Sequence, residues 1–120
     1  MGKRARARGK AEKLEAPESS YEGPHGTLTL RGAMTPKTRQ QYAATRAGKG
    51  GAQTAEDAWQ RAVEFLYERL AVRWDASGVA YEGQKELLLR VRASTVEERR
   101  WVRDVLREHC AEWFPDVEAP

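Results

Sequence analysis

Cysteine is the scarcest chemistry in the chain: a single thiol, Cys110, among 120 residues. That excludes an internal disulfide, and small secreted domains with modest cores usually depend on such cross-links. Long apolar runs are missing too; none nears the roughly 20 residues that a helix needs to cross a bilayer. The amino-terminal segment is positive but has no apolar stretch behind it, so no secretory signal is read. Met1-Gly2 is followed by Arg6 where N-myristoylation calls for Ser or Thr. The expectation from these absences is a cytoplasmic protein with no membrane partner.

Aromatic residues are nearly absent from the first half. All four tryptophans (Trp59, Trp74, Trp101, Trp113) and both phenylalanines (Phe65, Phe114) follow residue 54, while the first 53 residues offer only Tyr21 and Tyr42. Large aromatics supply much of the area a small core can bury, so the core is expected in the second half. Charge divides in the opposite sense. Residues 1–53 carry eleven Lys and Arg against four acids, or +7, and residues 54–120 carry ten against fourteen, or −4, which gives the chain its +3. An extended cationic arm on an acidic globule is the arrangement this implies.

Residues 1–26 hold almost nothing that could offset the entropy of ordering them, and disorder is expected there. A second segment, 27–53, opens with "TLTLRG", whose period of two fits one short edge strand or an extended arm. Thr35 before Pro36 then reads as the start of a short helix over 36–46, and "GKGGA" as a flexible hinge. The remainder, 54–120, reads as a helical domain. Thr54 is placed as N-cap, Glu56 and Asp57 occupy the first turn, and Gly78 is the stop. At about 100° per residue, Trp59, Ala62, Val63, Leu66 and Leu70 form one stripe. Ala58, Phe65 and Val72 widen it on one side, Tyr67 and Trp74 on the other. Residues 83–92 suit a helix or a strand, with Gln84, Lys85 and Glu86 favouring helix. A last helix begins at Ser94 or Thr95, where Glu97 and Glu98 can complete a capping box, and Pro115 ends it. The expected fold is mainly α: a small three-helix domain over about 54–115, preceded by a basic arm, with one short edge strand.

The pair His109–Cys110 invites a catalytic reading. Adjacent residues on a helix diverge by about 100°, so the two side chains point apart and cannot share a proton. His109 falls on the face of Val102, Val105, Leu106 and Trp113, where packing explains it. With His25 as the only other histidine, ligands for a metal are too few, and neither metal nor cofactor is expected. "RAGKGGAQT" lacks the upstream glycine and the Ser or Thr after Gly48-Lys49 of a phosphate loop, and no small-molecule ligand is evident. On the last helix Arg99, Arg100, Arg103 and Arg107 alternate with Glu97, Asp104, Glu108 and Glu112, a mixed pattern that argues for a solvated face rather than a DNA-reading helix.

Two features carry the functional expectation. Lys3, Arg4, Arg6, Arg8, Lys10 and Lys13 form a cationic array suited to sequence-independent contact with DNA or RNA. Arg69 and Arg73 stand within the apolar flank of the long helix, where a charge must reach solvent or meet acids from another element. With Phe65, Val72 and Trp74 they define an expected interface with a protein partner or a second copy. The sequence thus reads as a non-enzymatic adaptor or assembly protein. A structural homo-oligomer subunit without nucleic-acid role is the alternative, and an enzyme of unknown class the third.

Overall fold

The computed structural model describes residues 16–49, 51 and 53–120. The chain order is β1 (Glu18–Gly23), β2 (Gly26–Arg31), α1 (Pro36–Arg46), α2 (Ala55–Leu70), β3 (Ala71–Ala76), β4 (Val79–Glu82), α3 (Gln84–Arg92) and α4 (Val96–Trp113). The four strands form one antiparallel sheet in sequence order, with α1 and α2 inserted between its two central strands. This is an α+β fold. The expectation of a three-helix domain with a single edge strand, and of a helical bundle, is overturned.

The long helix does not run to Gly78. It starts as expected, with the Thr54 hydroxyl accepting the Asp57 amide at 3.0 Å, but ends at Leu70. From Ala71 onwards the period changes to two: Trp74 and Ala76 are buried, while Arg73 and Asp75 lie on the opposite face. Ser77 and Gly78, at φ of 53° and 81°, form a two-residue hairpin turn that needs positive φ at both positions. Gly78 is a turn glycine, not a helix stop. Val72 sits in a bulge, because Thr29 pairs with Arg73 while Leu30 pairs with Ala71.

The arm expected to be disordered over 1–26 is in part a strand. Glu18–Gly23 pairs with β2 along its whole length, from Glu18 opposite Arg31 to Gly23 opposite Gly26. Its side chains are polar, but an added strand is held first by main-chain hydrogen bonds, which do not require apolar residues. "TLTLR" is accordingly an interior strand with neighbours on both sides, not an edge. Helices α1 and α3 form where expected, and the capping box at α4 joins Thr95 with Glu98.

One apolar cluster unites both halves of the sequence. Leu28, Leu30 and Tyr42 pack with Leu66, Leu70, Trp74, Leu87, Leu106 and Phe114. The sheet buries one face on the helices. On its other face Ser20, Thr29, Arg73 and Glu82 lie in register across all four strands, with Ser20 and Thr29 hydroxyls 2.8 Å apart and Arg73 donating to Glu82 at 3.1 Å. An antiparallel sheet can leave one such polar face in water. Trp74 is fully buried and donates to the His25 carbonyl at 3.0 Å, so the β1–β2 turn is tied to the core. Trp74→Ala is expected to lower stability by roughly 3–5 kcal/mol, read as the urea unfolding midpoint. An unchanged midpoint would contradict this packing.

Candidate functional site

His109 and Cys110 resolve as structural residues. His109 is fully buried, with Nδ1 2.7 Å from the Tyr21 hydroxyl and Nε2 2.8 Å from the Arg31 carbonyl. A carbonyl can only accept, so Nε2 carries the proton and Tyr21 donates to Nδ1. Both ring nitrogens are therefore used in joining α4 to β1 and β2. Burial pulls the imidazole below its ordinary value of 6.5, against the opposing effects of the Arg31 carbonyl and Glu112. Burial also pushes the Cys110 thiol up to about 11, away from the thiolate that a nucleophile needs. Among the described residues no group of three or more His, Cys, Asp and Glu gathers in a way that could hold a metal ion.

The five residues expected to form a protein interface do not share a surface. Trp74 is inside the protein's own core. Arg73 lies on the polar sheet face, paired with Asp75 at 2.8 Å and with Glu82 of β4 at 3.1 Å. The hydrogen bonds from Arg73 hold the Asp75 carboxyl below its usual range. Arg69 is exposed, with its guanidinium 4.9 Å from the ring centre of the half-buried Phe65, and Val72 is half-buried in β3. The two charges that looked misplaced are thus accommodated within the chain, one by an acid of its own strand and one of the neighbouring strand, the other by reaching solvent over an aromatic ring. Lys3, Arg4, Arg6, Arg8, Lys10 and Lys13 lie outside the described residues.

Sequence reasoning missed a groove between α2 and α4. It has a volume of about 560 Å³ and is walled on one side by Trp59, Gln60 and Glu64, on the other by Arg99, Arg100 and Arg103. A shallower hollow adjoins it, sharing Glu56, Trp59 and Arg103 and adding Arg46 and Glu118. The Arg103 guanidinium lies 4.8 Å from the Trp59 ring centre. Arg61 is paired with Asp57 at 3.3 Å and Arg92 with Glu64 at 2.7 Å. Arg99 and Arg100 are exposed and form no ion pair among the described residues. The available signal is the run of arginines at 99, 100 and 103, masked in the sequence by the acids that interleave it. Of those acids, Asp104 pairs with Arg107 and, at 3.6 Å, with Arg103.

At the junction of α3 and α4, Arg90 meets Glu98 at 2.7 Å and lies 4.6 Å from the Trp74 ring centre. Its hydrogen bond and the Thr95 amide hold the Glu98 carboxyl below its usual range. These features position α4 against the sheet and fix the groove's arginine wall. Among the described residues no helix is long and apolar enough to cross a membrane. No protein-family model, curated protein or solved structure matches the chain.

The histidine contact has a pH signature. The unfolded chain binds a proton at His109 below its ordinary pKa, whereas the folded protein resists it, so stability is full above that value and falls on acidification. Unfolding midpoints are expected to drop between about pH 7 and pH 5, before the carboxylates titrate. His109→Gln should flatten that window. Tyr21→Phe, which leaves buried Nδ1 without its donor, should cost about 1–3 kcal/mol. A midpoint independent of pH across this window in the native chain would contradict the neutral, buried imidazole.

Proposed function

We propose that the protein is a small non-catalytic adaptor or assembly protein of the cytoplasm. Its leader contacts DNA or RNA without sequence preference, and its folded body engages protein, either a second copy or another partner. The observation that carries this reading is the partition of charge. Among the described residues eight arginines are in ion pairs: Arg39, Arg46, Arg61, Arg73, Arg90, Arg92, Arg103 and Arg107. Little of their charge is left for an external polyanion. The six cations of the leader face only Glu12 and Glu15 in the first fifteen residues. Neutralising phosphates with such an array releases counterions, giving binding that weakens steeply with salt. The non-catalytic part draws support from His109 and Cys110, whose polar atoms are committed to packing or held unreactive by burial. A lone reduced thiol also suits a cytoplasmic setting.

The competing reading, a homo-oligomer subunit without nucleic-acid role, is favoured by β4. This strand lies at the sheet edge and leaves Val79 50% exposed, and unpaired edges are templates for a second chain. Deleting residues 1–13 separates the two readings. Retention on DNA or RNA at low salt should fall sharply while far-UV circular dichroism stays unchanged. Unchanged retention would remove the adaptor reading, and a sedimenting oligomer in the same sample would favour its rival.

A further inference from the structure

We infer that the groove between α2 and α4 is a binding site for single-stranded nucleic acid, with Arg99 and Arg100 on phosphates and a base stacked on the Trp59–Arg103 pair. This extends the nucleic-acid reading from the leader to the folded body, and rests on it only for the identity of the polyanion. Charge complementarity is the first argument. The groove is lined by Arg61, Arg92, Arg99, Arg100 and Arg103 against Glu56, Asp57 and Glu64. Asp57 and Glu64 are each answered by an arginine of the same groove. Arg99 and Arg100 are left as exposed cations, one residue apart on the α4 wall, in a protein whose other arginines are largely paired.

Shape and chemistry narrow the occupant. A cleft of about 560 Å³ is of small-ligand size, enough for a nucleotide unit. Proteins that hold single strands combine a cationic track with aromatic platforms, because every base presents a π-face. Trp59 and Arg103 line both the groove and the adjoining hollow, so a strand passing from one to the other meets this stacked pair midway. Arg46 and Arg103 each keep a buried Nε–H without a hydrogen-bond acceptor among the described residues; for Arg103 a carboxylate oxygen of Asp104 stands at 3.6 Å. An unsatisfied buried donor is costly, which marks this end of the groove as incompletely partnered by the described residues.

The test is fluorescence anisotropy of a short labelled oligothymidylate titrated with the full chain across a salt series. The exposed double variant Arg99→Ala/Arg100→Ala should keep its fold and bind about 10-fold more weakly. Its slope of log affinity against log salt should be shallower by about 1.4, the loss of two single-strand phosphate contacts. Trp59→Leu, checked for folding by circular dichroism, should weaken binding by roughly 5- to 150-fold without changing that slope. Native affinity and slope in the double arginine variant would overturn the inference. So would competition by a blunt duplex or by thymidine monophosphate as effective as that of the oligomer. Deleting residues 1–13 keeps the two claims apart. Binding lost with the leader but indifferent to the arginines rejects the groove alone; binding indifferent to the leader but lost with the arginines rejects the leader and upholds the groove.

Discussion

The indole of Trp74 touches four elements at once. Its N–H donates to the His25 carbonyl in the turn between β1 and β2, and its ring meets Tyr67 of α2, Arg90 of α3 and Trp101 of α4. Burying so large a side chain from a strand requires the chain to leave α2 at Leu70 and reverse through Ser77-Gly78. Once β3 is in place, β2 has a partner on one side, β1 on the other, and the helices a common face to cover. Trp101 extends the same contact outward. A side chain at Gly23 would collide with its ring, so the end of β1 is shaped by α4.

Two longer ties complete the arrangement. His109 binds Tyr21 and the Arg31 carbonyl, across 88 and 78 residues of sequence. The segment after α4 folds back onto α1, where the Tyr42 hydroxyl meets the Glu118 carbonyl and Arg39 pairs with Asp116 at 3.0 Å. Burial pushes the Tyr42 phenol up to about 12, so it remains a donor at any ordinary pH. Charge is arranged in the same economical way. Eight arginines among the described residues serve the body's own carboxylates, whereas Arg99 and Arg100 on the groove are exposed and in no ion pair among those residues.

Local signals in the sequence were read correctly where the structure is local. Thr35, Thr54 and Thr95 cap helices because each hydroxyl reaches an amide three residues on. The packing of His109 follows from its place on an apolar helix face. What misled was coincidence of period: Leu66, Leu70 and Trp74 are spaced four apart, so they continue a helical stripe even though the last lies in a strand. Arg73 and Asp75, two apart and polar, together with the Ser77-Gly78 turn signal, carried the opposing evidence. β1 was illegible for another reason. "ESSYEG" has little apolar area, and its stability comes from β2, Trp113 and His109, none of which is near it in sequence. The groove, likewise, exists only once α2 and α4 are side by side.

A core shared between the two halves of the chain is the claim on which the account stands, and native-state hydrogen exchange addresses it most directly. If Trp74 joins sheet and helices into one cooperative unit, the ladder amides of β2 and β3 should open with the same free energy as the central amides of α4. Protected helices beside a β1–β2 hairpin that exchanges as fast as unfolded chain would mean that the helical half stands alone, and would contradict it.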